Sequence, residues 1–477
     1  MKRLSLLSSL LTASSLVLLA GCVCLAYTIH RDDTSRLLAL YSLTFIAYLG
    51  CYRLAHTSQH IRQLLVLAVV VRMALLPAMP NLSDDVYRFV WDGRLLYQGY
   101  DPFAYLPSEI LAGQGRVEAV GIDSALFRHL NSPDYYTIYP PVNQAVFAWA
   151  AWISPTSVRG SAVVIRLIIL AAELLTLWLL VRLLPTAEPR HRWPPPLSSP
   201  RYAGLSKLLA RIGYSGEGVS YRVPRKNVLL YALNPLVILE LTGNLHFEAL
   251  MIAFVLGSVY LWRRQQLILS AGAMALGICT KLLPLILLPL YWWRLRWKKA
   301  MLFYGVVGLT SVALFFPLVT PELIAGMRNS VGLYFQKFEF NASLYYLIRE
   351  VGYYQKGYNI IAQAGRWLAI ITFVSIVLYS IVERRKNLLA AYGSVWLIFL
   401  LFSTTVHPWY VTPLLAYTVF TPYRYAVLWS GLIFFSYAGY TATGFSENLG
   451  ITLVEYAVVG LTLGYELLDG SHLRKSL

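Results

Sequence analysis

The chain has 477 residues, 57% of them hydrophobic and 13% charged, with a formal net charge of +17. Soluble domains are about a quarter charged and far less apolar, so the composition excludes a soluble globular protein and indicates a membrane protein. The basic excess does not imply nucleic acid, because Lys and Arg collect in the cytoplasmic loops of multi-span proteins. Membrane lipids are the partners expected, and no nucleic acid.

A bilayer core about 30 Å thick takes roughly 20 apolar residues per helix. Such runs recur from Leu4 to Leu468, and they predict an all-α polytopic membrane protein with about 13–14 transmembrane helices in one domain. The first run, 4–28, contains "LLAGC", which also fits a cleaved signal peptide with a lipid-modified Cys22. Because the apolar stretch continues through "VCLAYTI", a plain membrane helix is the preferred reading. Spans follow at about 36–54 and 61–79, and then comes a large loop over 80–160. That loop opens with an amphipathic juxtamembrane helix over 86–98 and ends in an apolar segment, 142–155, bounded by prolines. Its brevity makes it re-entrant or juxtamembrane.

After a span at 161–184 the proline-rich, basic stretch 185–226 is expected to be a flexible linker loop. Further spans are expected near 227–242, 247–262, 267–279, 281–293 and 300–320. Beyond a second large loop, 321–358, others fall near 359–382, 388–405, 409–421, 424–441 and 449–467. A cytoplasmic N-terminus puts "MKR", 185–226, Arg263 and Arg264, "RLRWKK", "ERRK" and "HLRK" on one side. These segments hold more than half of the 40 Lys and Arg, which is the bias expected of cytoplasmic loops in a bacterial inner membrane. Loops 80–160 and 321–358 then face the periplasm. Cys22, Cys24, Cys51 and Cys279 all lie in apolar runs and form neither a disulfide framework nor a metal spacing.

Asp84 and Asp85, in "NLSDDVYRFVWDGRLLYQGYDP", stand just beyond an apolar run. One reading makes Ser83 and the two acids an N-cap and first-turn charges. Asp85, Arg88 and Asp92 would then be a ladder of ion pairs, with Val86, Phe89, Val90, Gly93 and Tyr97 facing the membrane. A functional reading arises because other polar groups are expected at the same outer face: Asn244, His246 and Glu248 in "TGNLHFEAL", Lys281 in "CTKLLP", and His407 in "VHPWY". Ionisable groups at membrane depth are costly and mark functional sites. Carboxylates beside cations at the lipid surface suit glycosyl transfer from a lipid phosphate. A base takes the acceptor's proton, and cations hold the leaving phosphate.

The ordered segments "SDDVYRFVWDGRLLYQGYDPFAYLP", "YTIYPPVNQAVF", "LNPLVILELTGNLHFEAL", "TKLLPLILLP" and "HPWYVTPLLA" resemble the GT-C superfamily of polytopic glycosyltransferases. Within it they look similar to bacterial mannosyltransferase-like members of the family 87 type that use polyprenyl-phosphate sugars. The resemblance implies that the first outer loop carries the catalytic acid, with Asp85 first and Asp84 as helper or replacement. It implies Lys281 and His407 at the donor phosphate, with Arg88 or Arg94 in support. It implies His246, Glu248, Asn244, Tyr87 and Tyr139 around the substrate, Tyr139 opening the "YPP" that shapes one wall. An extra hydrophobic hairpin before the acidic loop departs from the usual layout, as does "NLHFE" where an Asp is common.

The function expected is transfer of a hexose, mannose first, from a polyprenyl-phosphate donor to a glycan, lipid or protein acceptor at the outer face of the inner membrane. No cofactor and no required metal are expected. The competing reading, a flippase or transporter of lipid-linked sugars, calls for sites near the midplane and paired halves. A further one is a non-catalytic assembly partner in envelope synthesis.

Overall fold

A computed structural model describes residues 2–113, 117–184, 223–324, 338–384, 387–441 and 444–468. Helices α1 (Lys2–Tyr27) and α2 (Thr34–Leu54) form a hairpin, followed by α3 (Ser58–Ala74), which Thr57 caps through the His60 N–H at 3.1 Å. Next come α4 (Asp85–Tyr97), α5 (Pro141–Ile153) and α6 (Val158–Leu183). The segment Pro235–Gly243 meets α7 (Glu248–Arg263) at a bend of 110°, and α8 (Leu267–Thr280) returns against α7. Among the described residues the only strands are a two-residue antiparallel pair, Tyr440–Thr441 with Gly444–Phe445.

Six described helices are long and apolar enough to cross a membrane: α1 from Leu6, α2, α6, Trp297–Leu318, Ile361–Val382 and Leu449–Leu468. The bent pair, taken as one span, makes a seventh. The chain is therefore an all-α, multi-pass membrane protein. Four other predicted spans appear at their expected places as apolar helices of 10–17 residues: α8, Leu283–Trp292, Leu388–Phe402 and Tyr425–Gly439. At 1.5 Å per residue these fall short of the hydrocarbon thickness and must be buried among longer neighbours. The 13-residue α5 is likewise too short to cross.

Two charges inside the bundle, Arg72 and Glu173, are paired. Arg72 Nε and Nη2 donate to Glu173 Oε2 at 3.0 and 2.8 Å, its Nη1 donates to the Ala68 and Ala232 carbonyls, and Tyr231 donates to Glu173 Oε1 at 2.7 Å. All three side chains are fully buried, as a charge in an apolar medium requires.

Helix α4 differs from its expectation in one respect. The face assigned to membrane, apart from exposed Tyr97, packs on protein: Phe89 stacks on Phe147 at 4.7 Å and meets Phe247 edge-on at 5.5 Å. Val90, Trp91 and Leu95 form a second cluster with Ile110, Leu126 and Leu130 from the loop itself. The 80–160 segment thus encloses its own amphipathic helix. Apolar periodicity identifies such a face without telling lipid from protein. The 185–226 linker lies outside the described residues except for 223–226, as do 325–337 of the second loop, part of "ERRK" and all of "HLRK".

Candidate active site

The apolar run 228–243 contains one acid, Glu240. Around it the chain loosens into a π-helical turn, Ile238–Gly243, and then reverses through Asn244–Phe247. Leu245 adopts φ of 65° there, a left-handed conformation that a leucine rarely takes. Breaking a helix at membrane depth frees carbonyls that need donors. Buried Arg166 of α6 supplies them: Nε to Thr242 O at 2.8 Å, Nη2 to Gly243 O at 2.9 Å, and Nη1 to Leu76 O at 2.8 Å. Glu240 itself accepts from Tyr437 Oη at 2.8 Å and from Asn244 Nδ2 at 3.1 Å.

This turn holds His246 in a fixed pose. Its Nδ1 lies 2.9 Å from the Glu240 carbonyl and 3.3 Å from Glu240 Oε2. The ring stacks on Trp409 at 3.8 Å, and Trp409 stacks in turn on His407 at 4.4 Å. His407 also meets Phe340 at 4.7 Å and Tyr410 at 5.4 Å. Burial, with His246 and Lys281 adding repulsion, pushes the His407 imidazole down to about 3, so the ring is neutral when no anion lies beside it.

Asp85 approaches from α4. Its Oδ1 accepts from Asn131 Nδ2 at 2.8 Å, and its Oδ2 lies 4.0 Å from His246 Nε2. Asp84 occupies the N-cap position, yet its side chain caps no N–H; instead it pairs with Arg31 Nη2 at 2.5 Å. Arg31 comes from the turn of the α1–α2 hairpin and lies 5.1 Å from the Tyr440 ring. The extra hairpin thus supplies the partner of Asp84. Ser83 Oγ accepts the Asp85 N–H at 3.3 Å, so the serine alone makes a cap-like contact.

Glu248 at the start of α7 is buried and ion-paired through Oε1 with Lys281 at the end of α8. The Lys281 ammonium also sits 5.3 Å from the Tyr410 ring. Tyr139 packs on Phe89 and Phe147. Burial, followed by Asp85 and Asp92, pushes its hydroxyl well above the usual value.

Asp85, His246, His407, Lys281 and Glu248 are therefore linked contact by contact, with Asn244 behind them. Two arginines are engaged elsewhere. Arg88 Nε donates to Asp92 Oδ1 at 2.8 Å, and its Nη1 donates to the Tyr135 and Ser132 carbonyls at 2.8 and 3.1 Å, pinning the loop to α4. Asp92 also accepts from Thr137 at 2.5 Å. Of the predicted ion-pair ladder only the Arg88–Asp92 rung forms. Arg94 donates to Gly121 O at 2.6 Å, and Tyr87 stacks on His129 at 4.6 Å. Among the described residues no three His, Cys, Asp or Glu side chains group as metal ligands.

Sequence reasoning missed Glu240, Arg31, Trp409 and Asn131. A lone acid inside an apolar run was a usable signal for Glu240. Asn131 and Arg31 lie in loops, where nothing local marks them.

No curated protein matches the chain. A family model described as alpha-(1->6)-mannopyranosyltransferase, N-terminal domain, matches residues 6–193 and 219–296, more than half of the sequence. The match includes Asp84, Asp85, His246, Glu248 and Lys281 and ends before His407. The chain belongs to this alpha-(1->6)-mannopyranosyltransferase family and is a multi-pass membrane glycosyltransferase.

Proposed function

We propose that the protein moves mannose from a polyprenyl-phosphate donor to an acceptor hydroxyl at the outer face of a bacterial inner membrane. The observation that carries this reading is the joining of Asp85, His246, His407, Lys281 and Glu248 in one chain of contacts through Trp409 and Tyr410, although they come from widely separated stretches. Asp85 is the general base. As the acceptor oxygen bonds to the anomeric carbon, the carbon–phosphate-oxygen bond breaks and its electron pair leaves on the phosphate. The hydroxyl proton goes to Asp85.

Lys281 holds the phosphate while remaining paired with Glu248, which keeps a lone ammonium from being stranded when the site is empty. Neutral His407 serves the phosphate as a hydrogen-bond donor. Arg88 steadies the loop that carries Asn131, the partner of Asp85. No metal is required in this scheme, since Lys281 and the imidazole meet the growing charge.

The test is reconstitution in nanodiscs with polyprenyl-phosphate mannose and an alkyl α-mannoside. The expected result is a mannosylated product and free polyprenyl phosphate in equal amounts, undiminished by a chelator. Donor crossing vesicles with no product formed would instead establish transport and contradict the proposal.

A further inference from the structure

His246 carries a nitrogen with no structural employment. Both atoms near Nδ1, the Glu240 carbonyl and its carboxylate, are acceptors, so Nδ1 holds the proton and the neutral ring presents a lone pair at Nε2. Nε2 is buried, with the side chain 3% exposed, and no hydrogen bond is made to it. A buried acceptor without a partner is costly and needs a reason. It faces Asp85 Oδ2 at 4.0 Å, one ångström beyond a hydrogen bond, and such contacts often tighten only when substrate is bound. The other carboxylate oxygen is already fixed by Asn131. Trp409 stacking and the strained Leu245 turn prevent the ring from swinging away.

We propose that Glu240, His246 and Asp85 form a proton relay, with Glu240 and His246 as positioning residues that act through the base. The proposal rests on the assignment of Asp85 as base. Asp85 Oδ2 receives the proton of the acceptor hydroxyl, His246 Nε2 takes it from Asp85 as the product leaves, and it escapes to water past Asp85, whose side chain is 24% exposed. Asp85 is thereby ionised again before the next acceptor enters. The Glu240 carboxylate steadies the transient imidazolium. The charged and titratable groups around the ring are Asp85 and Asp84 from α4, Arg31 from the hairpin turn, Glu240 with Tyr437, Glu248 with Lys281, and His407. The cations Arg31 and Lys281 are each paired with an acid.

The decisive variant is His246→Asn, whose amide can still donate to Glu240 but lacks the relay nitrogen. Turnover of polyprenyl-phosphate mannose with an alkyl α-mannoside should fall at least tenfold. The donor KM should stay within about twofold, and the acid limb of the rate–pH profile should move to lower pH. A merely structural histidine would not move that limb. Should the Asn variant fail to fold, His246→Gln supplies the same reading. A foldable variant that keeps the wild-type rate and the wild-type acid limb would overturn the relay. Asp85→Asn in parallel separates the two claims: if it stays active, the base assignment fails, whereas a dead Asp85→Asn beside an unaltered His246 variant removes the relay alone.

Discussion

His407 illustrates how a side chain's surroundings decide its chemistry. From the sequence it reads as a cation for a phosphate, yet the folded protein holds the imidazole down to about 3 through burial and the nearby His246 and Lys281. A neutral ring binds an anion by donating one N–H. His407→Gln should therefore keep donor affinity within about threefold while His407→Ala loses roughly tenfold, an effect of one hydrogen bond measurable by donor titration. Equal losses in the two variants would contradict this. The same shift gives a pH dependence. The unfolded ring titrates near 6.5, so between there and about 3 the unfolded chain binds a proton that the native state refuses. That contribution is complete above about 6.5 and declines as the pH falls through this window. His407→Gln, with nothing to titrate, should show a smaller fall in thermal midpoint between pH 7 and pH 5 than the wild type; an equal fall would count against the shift.

At the scale of elements, α4 and α5 bring the acidic loop into register with the rest of the site. Gly93 of α4 lies so close to the Phe147 carbonyl of α5 that an added methyl group would overlap it. Gly93→Ala must push the helices apart, and overpacking of this kind costs about 1–3 kcal/mol. A lower thermal midpoint and a several-fold drop in turnover are expected, since α4 carries Asp85; an alanine variant with wild-type values for both would show that this contact does not set the register. The positions of the helices were legible in the sequence because length and apolar periodicity mark them: the amphipathic helix expected over 86–98 is Asp85–Tyr97, and the apolar segment at 142–155 is Pro141–Ile153. What covers α4 was not legible, because an apolar face looks the same toward lipid and toward Phe147. The break around Leu245 was legible, between the spans expected at 227–242 and 247–262 and with Gly243 inside it, but its support was not, because Arg166, far off in the chain, donates to the freed carbonyls.

For the molecule as a whole, the candidates Asp85, His246, Glu248, Lys281 and His407 could be named from sequence because charges are rare in so apolar a chain, but their pairing could not. Asp84 goes to Arg31 and Asp85 faces His246, a distinction set by the hairpin turn and the loop around Asn131. The proposed orientation is testable by labelling. With the four native cysteines replaced, Val120→Cys should react with an impermeant maleimide in intact spheroplasts, and Gln265→Cys, at the opposite turn, only after permeabilisation; the reverse pattern would put the site on the cytoplasmic face. The central claim is that Asp85 is the base of a site assembled from all these segments. The most direct measurement of it is turnover by Asp85→Asn in nanodiscs, with donor binding followed in the same preparation. The account predicts a loss of a hundredfold or more with donor affinity preserved, and a rate near that of the wild type would contradict it.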